Sequence, residues 1–271
     1  MFRSDQRERR IRDRAAARIG LRAVPSLGTR MSPIPRGDEK QSQAQSGINR
    51  RRLALIPIFF SAYFALFMFL PAGTFAWKVG WIFLLILCAT IALSVFVIWR
   101  INPEVIIARS QPHSGTKSWD KVLMWFWLPC IYGIIPVAAF DVAHIQKGFS
   151  TWWVFATGYF LLVIGFGIVA WAQSVNRFFE STVRIQTERG HSVISTGPYA
   201  IVRHPGYVGM ILLMIGVPLC LGSLWGLLPA GLSCMMIVLR TDWEDQTLQA
   251  ELDGYQHYAK HVRSRLIPRI W

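Results

Sequence analysis

The sequence predicts an all-α fold: a polytopic membrane helical bundle of about six spans, the last two a helical hairpin, followed by a cytoplasmic C-terminal helix. Three observations point to it. Of the 271 residues 53% are hydrophobic and 16% charged, whereas soluble domains average about 25% charged. The apolar residues gather into six runs, several approaching the ~20 residues that cross about 30 Å of hydrocarbon. Twelve Trp and seventeen Phe suit a body whose rings lie at the membrane–water boundary.

A basic tail, residues 1–50, precedes the first run. Residues 1–52 hold 14 Lys/Arg against 5 Asp/Glu, which is +9 of the formal +14. Rich in Arg, Ser, Gln and Pro and poor in large apolar side chains, the tail is expected to be disordered. A basic arm also suits nucleic acid. Here Phe2 is its one aromatic and no folded scaffold accompanies it, so attraction to an anionic membrane surface, or no role at all, is expected and not nucleic-acid binding. No apolar signal core follows the charges before Leu53, and Asp5, Glu8 and Asp13 count against an organellar transit peptide.

The six runs cover roughly 53–76, 79–99, 122–140, 152–172, 206–222 and 224–239. The last two are short and broken at Gly222-Ser223, the mark of a tight hairpin. Six crossings, or four plus a re-entrant hairpin, leave both termini on one side. With the N-terminus cytoplasmic, the inside segments from Arg50 onward carry sixteen Lys/Arg and the outside connections only Lys78 and Lys147. That asymmetry is the positive-inside pattern, so both termini are expected in the cytoplasm. Cys88, Cys130, Cys220 and Cys234 each lie inside an apolar run without a CxxC or Cys/His cluster. They are expected to be small hydrophobes, with neither a disulfide framework nor a metal site.

The remaining polar residues fall in three cytoplasmic segments, 100–121, 173–205 and 240–271. In the middle one, Val183 to Arg189 alternates apolar and polar residues and suggests a short extended stretch. Gly190 and Gly197-Pro198 mark turns. Pro205 suits the first turn of a helix, where its missing N–H costs nothing, and His204 before it is biased to extended backbone. Gly206 and Gly209 allow close approach by another helix or a ligand. The last segment should continue the sixth span as an amphipathic helix, with Trp243, Leu248, Leu252 and Tyr255 near helical spacing. Tyr258 to Trp271 should lie along the interface.

Arg203-His204 stands at the entrance to the fifth run and Glu244-Asp245 just past the exit of the sixth. Taken singly, an Arg at a helix end is an interfacial anchor, an acid pair is a solvated face, and Tyr199 and Tyr207 are boundary aromatics. A hairpin, however, brings its two ends together. Cations then face acids at one mouth, an arrangement suited to a zwitterion: cations for a carboxylate, acids for an ammonium or ribose hydroxyls.

The chain resembles the isoprenylcysteine carboxyl methyltransferase and phospholipid methyltransferase superfamily of integral-membrane enzymes. The residues that carry this are Asn176 to Phe179, the block GPYAIVRHPGYVG at residues 197–209, Trp243 to Leu248, Tyr255, Tyr258, and Arg263 to Pro268. Asn102 to Val105 and Ser118 to Asp120 resemble bacterial members, which implies a multi-pass protein of the bacterial inner membrane. The resemblance implies a methyltransferase domain over 51–271 that uses S-adenosylmethionine and no metal. The implied acceptor is lipophilic, an isoprenylcysteine-like carboxylate or another lipid group. By motif, Tyr199, Arg203, His204, Pro205, Tyr207, Glu244 and Asp245 are cofactor-site candidates, with Arg203 and Glu244 the catalytic ones. Asp245 stands where Glu is common, one methylene shorter. Gly165-Phe-Gly167 resembles a glycine pair of the phospholipid branch but equally suits helix packing. Three alternatives stay open: a phospholipid N-methyltransferase, an NADPH-dependent reductase of the sterol-reductase type, and a membrane scaffold without activity.

Overall fold

Helices form wherever an apolar run is free of breakers, and breakers or charges end them. The computed structural model describes residues 50–110, 115–145 and 151–271; the expectations for the tail and for Lys147 lie outside these residues. Among the described residues there are eight helices and no strand. They are α1 (Arg50–Ala72), α2 (Lys78–Ile101), α3 (Pro103–Ser110), α4 (Ser118–Phe140), α5 (Trp152–Val175), α6 (Pro205–Leu221), α7 (Leu227–Glu251) and α8 (Tyr255–His261). Each expected apolar run falls in its own helix. Three helices are long and apolar enough to cross a membrane: α2, α4 with its extension to Ile145, and α5. The other expected spans are shorter, Ile58–Ala72 in α1 and Pro205–Leu221. The sixth run is the first half of α7, whose second half is polar.

Local chemistry explains most boundaries. Pro205 opens α6, with His204 as the flanking residue at φ −125°. The helix α3 is an addition to the sequence reading; Pro103 and Glu104 in its first turn favour a helix start. The expected continuation through Tyr255 breaks instead at Leu252–Gly254, because Gly254 turns left-handed at φ 81°. Residues 183–186 are irregular, not a strand, and lead into a 3₁₀ turn at Thr187–Arg189.

The closest helix pair is α5 with α6. A Cβ on Gly158 would meet the Cys220 backbone nitrogen at 2.4 Å, and one on Gly209 would meet the Gly165 oxygen at 2.7 Å. Small residues at these positions let two backbones touch. Gly167 faces open space, so the Gly165-Phe166-Gly167 pair divides between packing and surface. Around this contact Met68 and Phe69 of α1, Phe83 and Leu87 of α2, Ile135 of α4 and Leu162 of α5 form the main core. A second cluster joins Trp127, Met214 and Ile237 across α4, α6 and α7. Cys220 is buried in the core and the other cysteines are half-buried. Phe59, Leu70, Leu85, Trp125 and Phe160 are exposed on the outside of the bundle, as a lipid-facing surface requires.

Asp141 and His144 secure one end of the bundle. Buried Asp141, in a π-helical turn after α4, accepts bonds from Ser223 Oγ at 2.6 Å and from the Leu224 and Trp225 amides at 3.0 and 3.1 Å. The carboxylate thus satisfies the amides of the turn that leads into α7. His144 Nε2 lies 3.1 Å from the Pro71 carbonyl. At 1.5 Å rise per residue, Asp141 stands roughly 30 Å along α4 from Asp120. That distance keeps it away from the charged mouth.

Candidate active site

Two buried aspartates organise the opposite end. Asp120, in the first turn of α4, accepts bonds from Arg240 Nε at 2.8 Å, Arg240 Nη2 at 3.1 Å and the Val183 amide at 2.8 Å. Arg240 Nη2 also donates to the Ser181 carbonyl at 2.8 Å. One ion pair thus ties α4 to α7 and pins the irregular segment over both.

Asp245 is the second hub. Arg203 meets it with two parallel bonds, Nε to Oδ1 at 2.7 Å and Nη2 to Oδ2 at 2.8 Å. Arg265 Nε, Gln249 Nε2 and the Tyr255 hydroxyl donate at 2.9, 2.8 and 3.0 Å, and His204 Nε2 lies 3.3 Å away. Burial alone would raise the Asp245 pKa, but the bonds from His204, Arg203 and Arg265 hold it far below the usual carboxylate range. Arg203 Nη1 donates to the Val262 and Arg263 carbonyls, each at 2.9 Å. The Arg203 and His204 amides donate to the Ser264 and Arg265 carbonyls at 2.9 and 3.0 Å. The C-terminal segment is therefore stitched to the entrance of α6. The hairpin does bring base and acid together, but Arg203 faces Asp245 and not open space.

Between the hubs lies a cleft of about 110 Å³ that opens to solvent. Of the seven sequence candidates, Tyr199, Arg203, His204, Tyr207 and Glu244 line it, whereas Pro205 and Asp245 do not. Glu244 accepts a short bond from the Tyr207 hydroxyl. Arg240, Glu244 and Leu248 follow at four-residue steps and present one face of α7 to the cleft. Asp245, about 100° further round, faces the hub. Tyr199 is buried, its hydroxyl accepting from Asn176 Nδ2 at 3.1 Å and its carbonyl accepting from Tyr258 at 2.6 Å.

Sequence reasoning missed Arg240, Thr182 and His191. The available signal for Arg240 was its place at the end of the apolar half of α7, four residues before Glu244. Thr182 Oγ1 is buried without a hydrogen-bond partner and lines the cleft, and nothing local marks it. His191 packs on Phe178, with ring centres 4.6 Å apart, and burial pushes its pKa down to about 4, opposed by Glu180 and aided by Arg189. Above these residues Glu180 takes two bonds from Arg184, at 2.8 and 2.9 Å, and stiffens the wall.

A helical bundle with three helices long and apolar enough to cross a membrane, and a charged cleft at the mouth of its last helices, is the architecture of an integral-membrane protein. Comparison with known proteins agrees with that class. Residues 153–252 match the family described as phospholipid methyltransferase. Over 123 residues the chain is 34% identical to proteins of Oryza sativa subsp. indica and subsp. japonica, each described as a probable protein-S-isoprenylcysteine O-methyltransferase. The match covers 42% of this chain and 62% of each relative, so less than two thirds of their length is represented. These matches support the resemblance of the C-terminal half of the chain to the isoprenylcysteine carboxyl methyltransferase/phospholipid methyltransferase superfamily.

Proposed function

We propose that the protein is an S-adenosylmethionine-dependent methyltransferase acting on a lipophilic acceptor. The observation that carries this is the cleft itself, where an acid, an unpartnered hydroxyl and several rings converge beside an apolar cavity. The donor set fits the cofactor. The Glu244 carboxylate suits an ammonium or a ribose hydroxyl, and buried Thr182 Oγ1 needs a partner that the protein does not supply. Phe178, Phe179 and Tyr207 line the same space and suit a purine ring or a sulfonium cation.

When bound, S-adenosylmethionine supplies a methyl group on a cationic sulfur for in-line displacement. The protein's part is positioning and exclusion of water. Arg203 has four N–H groups committed to Asp245 and to the C-terminal carbonyls. It therefore holds the wall of the cleft, with one N–H of Nη2 left for a ligand. A carboxylate acceptor would need no general base, because it carries no proton to lose before methylation. An amine acceptor must first lose a proton, which Glu244 is placed to accept.

An apolar cavity of about 230 Å³ supports the lipophilic acceptor. Its walls include Phe64, Leu87, Ile131, Leu162, Met210 and Leu213. Met210 lies one turn further along α6 than Tyr207, so a head group at the cleft and a chain in the cavity share one helix.

The test is isothermal calorimetry on the detergent-purified full chain, followed by incubation with labelled S-adenosylmethionine and a lipid extract. Binding and label transfer to lipid are expected. NADPH binding in its place would favour the reductase reading, and binding of neither cofactor would return the chain to a scaffold.

A further inference from the structure

Arg109, near the end of α3, differs from the arginines that build the cleft. Arg203 pairs with Asp245, Arg240 with Asp120 and Arg184 with Glu180. Arg189 lies 3.7 Å from Glu104, and Arg265 pairs with Asp245 and Asp242. No acid among the described residues pairs with Arg109. Its guanidinium carbon lies 5.6 Å from the centre of the Phe179 ring. That ring lines the cleft and sits so close to Gly206 that a Cβ there would meet it at 2.5 Å. The next residue, Tyr207, carries the Arg240 guanidinium 5.6 Å from its own ring. Arg109, Phe179, Tyr207 and Arg240 therefore form a row along the rim.

Asp120 pairs with Arg240 and Glu244 accepts from Tyr207, and neither carboxylate pairs with Arg109. Although Arg109 as a residue keeps contact with solvent, desolvation and then the Arg240 guanidinium lower its pKa, with Tyr207 opposing. An anion placed against Arg109 would relieve this repulsion. The neighbouring geometry says where such an anion would come from. Gly206 and Tyr207 open α6, and Met210 to Val217 of the same helix line the apolar cavity. A molecule with its hydrocarbon chain in that cavity and its head group toward the first turn of α6 would bring the head group beside Phe179 and Arg109.

We propose that Arg109 recognises the acceptor by binding an oxyanion of its head group, a carboxylate or the phosphodiester of a phospholipid. This inference rests on the methyltransferase reading and adds to it the charge of the acceptor. Arg109 is a specificity-determining residue in this scheme. Arg109 is not among the residues that line the cleft, and a guanidinium fork suits both oxyanions.

The experiment uses the purified full chain in detergent as wild type, Arg109→Gln and Arg109→Lys. One series compares N-acetyl-S-farnesylcysteine with its carboxamide; the other compares phosphatidylethanolamine with a long-chain primary amine that lacks the phosphate. Binding is read by calorimetry, with S-adenosylmethionine affinity measured separately on each protein. In at least one series the wild type should prefer the oxyanion roughly ten- to a hundredfold. Arg109→Gln should abolish that preference and Arg109→Lys keep part of it, with S-adenosylmethionine affinity unchanged within about twofold. The series that shows the preference identifies the source of the oxyanion. A preference that survives in Arg109→Gln, or its absence from the wild type in both series, overturns the proposal. Failure of the wild type to bind S-adenosylmethionine would instead strike the methyltransferase reading.

Discussion

Glu244 and Asp245 are adjacent in the chain yet have separate jobs, and substitution should separate them. Asp245→Asn removes the charge that buried Arg203 needs. Breaking a buried pair on one side costs about 3–5 kcal/mol, so this variant should melt at a clearly lower temperature in detergent. Glu244→Gln leaves the hub intact and should melt normally. Its S-adenosylmethionine affinity should fall roughly ten- to a hundredfold, the worth of a charge-assisted bond, as read by calorimetry. Equal melting of both variants would mean that the hub is not structural. His191 supplies a pH test. Its pKa is pushed down from 6.5 to about 4 in the folded chain. Between these values the unfolded chain binds a proton that the folded chain refuses, so stability should fall as pH drops through that window. Asp245 adds a further loss only below the usual carboxylate range, where the unfolded carboxyl takes up its proton first. His191→Gln should flatten the melting temperature between pH 6.5 and 4, and an unaltered slope would argue against a desolvated imidazole.

At the level of elements, α5 and α6 depend on glycine at their crossing. A Cβ on Gly158 would lie 2.4 Å from a backbone nitrogen and one on Gly209 would lie 2.7 Å from a backbone oxygen. No side-chain rotation relieves either contact. Overpacking of this kind costs about 1–3 kcal/mol, so Gly158→Val and Gly209→Val should each lower the melting temperature. Gly167→Val, with nothing within 4 Å of its Cβ, should not. Because α6 carries Tyr207 at one end and Met210 to Val217 beyond it, Gly209→Val should also weaken S-adenosylmethionine binding. Normal binding in a folded Gly209→Val protein would uncouple the crossing from the cleft.

For the whole molecule, the sixteen-to-two Lys/Arg asymmetry predicts that both termini face the cytoplasm. Reporter fusions at Trp271 and near Lys147 should therefore report opposite sides of the membrane, and the same side for both would overturn the topology. Deleting residues 1–48 should leave cofactor affinity and melting unchanged, since that stretch lacks the apolar content to pack. A large loss would make the arm part of the site.

The sequence alone determined the six apolar helices and the pair of ends that meet. Apolar runs, Pro205 and the Gly222-Ser223 break are local signals, and a short connection leaves a hairpin little choice but to bring Arg203 near Asp245. Tertiary structure alone decided what each charge does. Which of two neighbouring acids faces the cleft depends on the rotation of α7, which is set by packing against α4 and α6. Arg203 looked free for a ligand because the Val262 and Arg263 carbonyls that hold it lie about sixty residues away and carry no signature in their side chains. The role of Arg240 was hidden, since its partner Asp120 comes from another helix. Thr182 is exceptional only through what surrounds it. Distant partners settle whether a buried polar group is satisfied, and only the folded chain brings them together.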